Sequence, residues 1–235
     1  MKSWKLWLSL SAGCGAAVLA GVLGLSLAQE AGKPEAKAGE KVEKIELPKP
    51  KEAAGVDLLA AIKGRHTTRD YDAAKPIPEE VLATVLWAAD GVNRANGKHT
   101  APTALGVRHM RIYVCRADGA WRYDQDAHVL LAVTKDDLRG KIGVQKFVAD
   151  AQAVIVLTSD LSAFDAKAAR ADAERRREWS HCAAGAIAQN VYLAAEAFGL
   201  GTVIAGGVNA EVARKSLELK ADEVPLYIMP LGYPK

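Results

Sequence analysis

Cysteine is scarce. Cys14, Cys115 and Cys182 are the only three in 235 residues. There is no C-x-x-C and no cysteine spacing suited to a metal, which leaves out zinc modules and dithiol redox motifs. The five histidines, His66, His99, His109, His128 and His181, form no H-E-x-x-H or other ligand pattern, so no metal site is expected. Neither Ser159 nor Ser180 sits in a G-x-S-x-G elbow, so the hydrolase pattern is missing. The G-x-G-x-x-G dinucleotide fingerprint is missing too. A net charge of +3, with 25% charged residues, lacks the concentrated basic face of a nucleic-acid protein. Nine prolines and 20 glycines are too few for a disordered chain. No internal repeat occurs. Nothing in the sequence brings Cys115 and Cys182 together, so both read as small buried apolar residues.

What is present is a chain 50% hydrophobic, enough for one domain with a sizeable core, or at most two. Its start belongs to a separate argument. Met1–Trp7 carries Lys2 and Lys5 and no acid, and Leu8 to Ala28 is apolar or small. Ser26-Leu27-Ala28 before Gln29 is a small-x-small cleavage pattern, so 1–28 reads as a secretory signal peptide and the location as periplasmic. An uncleaved membrane anchor is the alternative. Ser11-Ala12-Gly13-Cys14 loosely resembles a lipoprotein box, but the apolar run before Cys14 is short. Residues 29–52 are rich in Lys, Glu, Ala and Pro and read as a flexible linker, with the folded domain starting near Ala53.

Beyond it helices and strands mix. Val56, Leu59 and Ile62 recur at helical spacing. Pro78, followed by Glu79 and Glu80, starts a helix that runs to about Ala89 and stops at Gly91. His109–Val114 reads as a strand, Asp118-Gly119 as a hairpin turn and Trp121–Tyr123 as the return strand. Phe147–Ala151 looks helical, and Ala153–Thr158 fits a buried strand. Ala166–Trp179 reads as a charged helix whose Arg175-Arg176-Arg177 run is a solvated face interleaved with Asp172, Glu174 and Glu178. Ala183–Phe198 is apolar nearly all round and reads as a buried helix, in a core or a subunit interface, ended by Gly199. Thr202–Ile204 and Leu226–Leu231 read as strands, with Asn209 capping a helix from Ala210 to about Leu217. The class is α+β: a sheet flanked by helices, with one helix buried in the middle.

Two segments carry chemistry. Arg65-His66-Thr67-Thr68-Arg69 packs two fixed cations, an imidazole and two hydroxyls into five residues, which suits a phosphate. A plain polar loop after a helix is the competing reading. Gly199 to Gly207 ends in Gly206-Gly207, where backbone can approach a flat heterocycle closely. A turn that needs positive φ is the competing reading there.

In order, these pieces resemble the nitroreductase superfamily. Arg65–Arg69 with Pro76-Ile77-Pro78-Glu79-Glu80-Val81-Leu82 resembles its N-terminal signature. Thr100-Ala101-Pro102-Thr103-Ala104 resembles its second flavin loop. Gln189-Asn190 through Gly207 resembles its central helix and following strand, and Pro230-Leu231-Gly232-Tyr233-Pro234 its C-terminal end. Asn93-Arg94 and the Asp118-Gly119…Tyr123 hairpin look most like the SagB-type dehydrogenase branch. The resemblance spans roughly Val56 to Lys235, and the order and spacing of the motifs carry it.

The resemblance implies a mixed or antiparallel sheet, a central helix at a homodimer interface, and FMN at that interface. Arg65, His66 and Thr67 would hold the phosphate and ribityl chain, and Arg69 would face the pyrimidine edge. Pro102, Thr103 and Ala104 would come from the partner subunit. Gly206 and Gly207 would lie beside flavin N5, Gln145 near the ring's polar edge, and Lys235 at the phosphate. It further implies ping-pong two-electron transfer from a reduced donor to a small organic acceptor such as a nitroaromatic or quinone, with no protein acid or base required. NAD(P)H is the family's usual donor. Export would favour a membrane-linked or protein donor instead. SagB-like oxidation of a peptide-derived heterocycle and a non-catalytic exported flavin-binding domain are the alternatives. Two departures stand out: Leu105-Gly106 replaces a frequent Asn after the second loop, and Gly206 occupies a position that is often acidic.

Overall fold

The structure, a computed structural model, describes residues 43–235. The signal peptide expected over 1–28 and the first part of the expected linker lie outside the described residues. Among those described, no helix is long and apolar enough to cross a membrane.

Seven strands form one sheet. They are β1 (Lys44–Glu46), β2 (Met110–Arg116), β3 (Gly119–Asp124), β4 (Val129–Thr134), β5 (Ala153–Asp160), β6 (Gly201–Thr202) and β7 (Glu223–Gly232). Their order is β1-β4-β3-β2-β5-β7-β6, with every neighbouring pair antiparallel. Among the described residues the helices are α1 (Leu58–Gly64), α2 (Glu79–Asp90), α3 (Asp165–Ala168), α4 (Ala173–Ala197) and α5 (Ala210–Ser216).

Alternation along the central strands makes two cores. Met110, Ile112 and Val114 of β2, with Ile155 and Leu157 of β5, pack on the α2 and α4 side. Tyr113, Cys115, Val154 and Val156 point the other way, onto Leu138, Ile142, Ala213 and Leu217. Side chains alternate across a strand, so a strand covered on both faces reads as one apolar run. That is why Ala153–Thr158 is legible as a buried strand, and all eight residues of β5 are buried. Gly119 opens the β2–β3 hairpin at φ 135, and a Cβ there would strike the Thr134 carbonyl.

Several boundaries differ from expectation. The linker expected to Glu52 already contributes β1, where Ile45 pairs with Leu130, and Leu47 is buried in the larger core. The folded part therefore begins before Ala53. One strand of three residues among lysines and glutamates gives too little alternation to be seen. The helices expected over Ala166–Trp179 and Ala183–Phe198 are mostly one: α4 runs 25 residues unbroken from Ala173. Asp172 caps it, its carboxylate accepting the Arg175 N–H at 2.8 Å. The arginine run divides. Arg175 pairs with Glu178 at 2.7 Å, while Arg176 donates to the Ala171 and Leu161 carbonyls and to Asp165. Phe147–Ala151 is a short 3₁₀ turn, Lys146–Asp150.

α4 is also not buried all round. Ser180, Ala183, Ala184, Ile187, Val191 and Ala195 face the sheet, whereas Cys182, Gly185 and Gln189 are exposed. Cys115 matches its expectation, with burial pushing its thiol up to about 12, but Cys182 does not, since it lies on that open face.

Candidate functional site

The Arg65–Arg69 segment begins where α1 ends. Asp57 caps α1, its carboxylate accepting the Ala60 N–H at 2.9 Å. Arg65 closes it, donating its N–H to the Ala61 carbonyl at 2.9 Å. The chain then runs beside β6: Thr67 bridges Thr202 in parallel, and the Thr68 N–H donates to the Thr202 carbonyl at 3.0 Å. Past Arg69 the chain is zipped to its own C-terminus. The Asp72 N–H donates to the Tyr233 carbonyl at 2.9 Å, and the Lys235 N–H to the Asp70 carbonyl at 3.2 Å. Tyr71, fully buried, donates its hydroxyl to the Thr68 carbonyl at 2.6 Å. These bonds place Arg65, Thr67, Arg69 and Lys235 along one edge, next to β6.

The Gly206-Gly207 segment arrives at the same edge. Ala205 and Ile228 exchange both backbone hydrogen bonds at 2.9 Å, and the Val144 N–H donates to the Gly207 carbonyl at 2.9 Å. A Cβ at Gly207 would collide with the Gln145 amide, so Gln145 lies directly over it. Gly206 is exposed with open space beside it. Gln145 and Gly207, 62 positions apart in sequence, thus meet.

Tyr192 of α4 joins the two segments. The Arg65 guanidinium stacks 4.6 Å from its ring centroid, and its hydroxyl accepts the Ile204 N–H at 3.0 Å. The sequence reading did not single out this residue. A lone tyrosine in an apolar helix looks like core, and no local pattern tells otherwise.

Unsatisfied polar atoms gather here. Among the described residues, five buried side-chain nitrogens or oxygens lack a hydrogen-bond partner: Arg65 Nε, Thr68 Oγ1, His109 Nε2, Gln145 Oε1 and Thr202 Oγ1. Four of the five belong to this edge. Buried polar groups are normally paired, and each orphan costs about 1–3 kcal/mol. A cluster of them fits a ligand that carries donors and acceptors. His66 adds an exposed imidazole, its Nδ1 3.0 Å from the Gly64 carbonyl.

Pro102, Thr103 and Ala104 do not join this edge within one chain. No hydrogen bond among the described residues links them to it. Pro102 and Thr103 instead border a cationic recess of about 360 Å³ with Arg94, Lys98, His99 and Arg108. A buried network that the sequence did not reveal holds the base of their loop. Asp90, at the end of α2, takes Arg108 at 3.3 Å and a short contact from Gln125. His99 Nδ1 lies 2.6 Å from the Asp90 carbonyl, and its Nε2 lies 2.8 Å from Asp126. Burial raises the Asp90 carboxyl above its ordinary range, against the pull of Arg108.

The departure at Leu105-Gly106 has a conformational meaning. Leu105 sits at φ 55 and is 58% exposed, and Gly106 follows at φ 63. Asparagine tolerates that left-handed region far better than leucine. Leu105→Asn is therefore expected to stabilise the chain by roughly 0.5–1 kcal/mol, read as a rise in the urea midpoint at unchanged slope. A fall in the midpoint would show that the leucine contributes packing instead.

No group of three or more potential metal ligands occurs among the described residues.

Comparison with known proteins shows the family. The Nitroreductase family model matches residues 62–233. A nitroreductase homologue from Methanocaldococcus jannaschii is 30% identical over 198 residues, covering 80% of this chain and 95% of its own. A nitroreductase structure from Ralstonia eutropha JMP134 superposes with a TM-score of 0.73 at 33% identity, covering 82% of this chain and 90% of its own. A nitroreductase from Exiguobacterium sibiricum, solved in complex with FMN, shares the fold with a TM-score of 0.57 at 18% identity, covering 77% of this chain and 89% of its own. On the family match and the two closer relatives together, this chain is a member of the nitroreductase family and an oxidoreductase in its general chemistry.

Proposed function

We propose that the protein is an FMN-dependent oxidoreductase that passes two electrons from a reduced donor to a small organic acceptor such as a nitroaromatic or a quinone. The observation that carries this reading is the clustering of orphaned polar atoms on Arg65, Thr68, Gln145 and Thr202 beside Gly206, which has open space next to it, and Gly207, which Gln145 covers. The FMN held by the Exiguobacterium relative supports the choice of cofactor. When bound, FMN supplies the hydride chemistry, and the protein holds and tunes it.

In this reading Arg65 and Thr67 hold the phosphate, with His66 and Lys235 beside them. Arg is suited to that task by its forked, permanently charged donors. Arg69 adds positive charge at the ring's pyrimidine edge, where it stabilises electron-rich states. Gln145 offers an amide to the ring's polar atoms. Gly206 has open space beside it, so the loss of an acidic side chain there leaves its backbone N–H as a donor.

The homodimer is part of the proposal. Val56, Leu58, Leu59 and Ile62 expose large apolar side chains on and beside α1. Next to them a groove of about 420 Å³ is lined by Trp87, Ala88, Leu193, Ala194 and Ala197. A monomer rarely leaves such a continuous apolar surface open. A second copy is proposed to cover it, with the Pro102–Ala104 loop completing the flavin edge across the dimer.

Residues 1–28 are proposed to export the protein, and a membrane-linked or protein donor would then replace NAD(P)H. The test is anaerobic turnover of a quinone by the FMN-loaded protein, supplied first with a chemically reduced low-potential dye and then with NADPH. Turnover with the dye supports the redox function. No turnover with the dye and any of several quinones or nitroaromatics would refute it. Equally fast turnover with NADPH would remove the argument for a special donor.

A further inference from the structure

We infer that Tyr192 is a positioning residue that couples the two ends of the proposed flavin site, a reading that rests on the proposed function above. Three observations meet at this side chain. Its ring lies 4.6 Å from the Arg65 guanidinium carbon. Its hydroxyl accepts the Ile204 N–H at 3.0 Å. It is 7% exposed and belongs to the larger core, so its position is fixed from behind.

Each contact governs a different end. Arg65 has few other restraints among the described residues: its side chain makes no hydrogen bond or ion pair, and its Nε is buried without a partner. The face of an aromatic ring attracts a cation and orients a planar guanidinium, leaving its edge free for forked hydrogen bonds. Tyr192 therefore holds Arg65 as a ready anion clamp without neutralising it, as a carboxylate would. At the other end, Ile204 begins the segment Ile204–Gly207. Ile228 secures Ala205 from one side at 2.9 Å, and the Tyr192 hydroxyl secures Ile204 from the other. The placement of the Gly206 and Gly207 N–H groups follows from where this segment is pinned. One rigid side chain thus sets the phosphate end and the redox end in a fixed relation.

The two functions separate by substitution. Tyr192→Phe keeps the ring and removes the acceptor for Ile204. Tyr192→Leu removes both. FMN affinity is to be measured by fluorescence titration, and the environment of flavin N5 by the affinity of bound FMN for sulfite, which adds at N5 and bleaches the visible band. Neither readout needs the physiological donor. The expected result for Tyr192→Phe is an FMN Kd within about threefold of the unsubstituted protein and a sulfite Kd shifted by roughly 2–10-fold, the weight of one hydrogen bond. For Tyr192→Leu the FMN Kd is expected to rise by roughly 5–30-fold, the weight of a partly desolvated cation–π contact. If both variants bind FMN and sulfite as the unsubstituted protein does, the positioning role is wrong and the flavin reading stands. If both lose FMN affinity equally and in proportion to a drop in Tm, Tyr192 is only core and the coupling is overturned. If the unsubstituted protein takes up no FMN at all, the proposed function itself fails, and this inference with it.

Discussion

Replacing Arg65 by alanine is expected to strip the protein of FMN while leaving it folded. Charge-assisted hydrogen bonds contribute roughly 1.5–3 kcal/mol each, so losing even one raises the FMN Kd by about 10-fold to 150-fold. The fold loses little. Arg65 makes no side-chain hydrogen bond or ion pair among the described residues, and its partly desolvated contact with the Tyr192 ring is worth about 1–2 kcal/mol. Its backbone N–H, which closes α1 on the Ala61 carbonyl at 2.9 Å, survives the change. Alanine also removes a buried unpartnered Nε. The check is an FMN titration alongside circular dichroism and size-exclusion elution. Unchanged FMN affinity in a folded Arg65→Ala variant would mean that the phosphate lies elsewhere.

The second large effect is on acid stability, and it arises from His109, far from the flavin edge in sequence. His109 is fully buried against the Phe164 ring, with centroids 4.5 Å apart. Its Nδ1 lies 3.1 Å from Ser159 Oγ, Ser159 Oγ lies 2.8 Å from Ser180 Oγ, and Ser180 donates to the Arg176 carbonyl at 2.7 Å. The chain of donors fixes the tautomer. The Ser180 proton goes to the carbonyl, so Ser159 donates to Ser180 and His109 donates from Nδ1. Nε2 is then a bare acceptor, and it is buried with no partner. A second proton would place an unpaired charge there. Burial above all, and then Arg111 and Arg108, with Asp160 opposing, lower the His109 pKa from 6.5 to about 4.

The sign follows from proton counts. Between pH 6.5 and about 4 the unfolded chain binds a proton at this histidine that the folded chain refuses. Stability is therefore full above pH 6.5 and falls as the pH drops toward 4, by roughly 3 kcal/mol from this group alone. Asp137 and Asp160, whose folded carboxyls are held below their ordinary range, add their losses only at lower pH. His109→Asn retains a donor near Nδ1 and does not titrate. Urea melts from pH 7.5 to 4.5 are expected to give a steep loss in the unsubstituted protein and a markedly flatter line in His109→Asn. Parallel lines would show that His109 does not set the acid limit. The absolute level of the variant is not the readout, since asparagine is also smaller.

Much of the candidate site is legible in the sequence because its parts are local. Arg65–Arg69 concentrates phosphate chemistry in five consecutive residues, and Gly206-Gly207 ends a strand. Each carries its own signal, and the structure brings them to one edge with Gln145 and Lys235. β5 was legible because a strand buried on both faces leaves an unbroken apolar run. The rest depends on distant partners. β1 becomes a strand through its pairing with β4, some 85 positions away, and its three residues show no periodicity of their own. The break expected between Trp179 and Ala183 reflected a change from charged to apolar residues. That change marks where one continuous helix passes from its charged start to the sheet, and it leaves the outer face of α4 open. Tyr192 and the Asp90–His99–Arg108–Gln125 network are invisible for the same reason. Their members look like ordinary core or surface residues until folding assembles them.

The flavin itself is the central claim, and the visible spectrum of the purified protein tests it most directly. The account predicts two oxidised-flavin bands, after purification or after incubation with FMN and removal of the excess, and FMN as the species released on denaturation. A colourless protein that takes up no added FMN would contradict it.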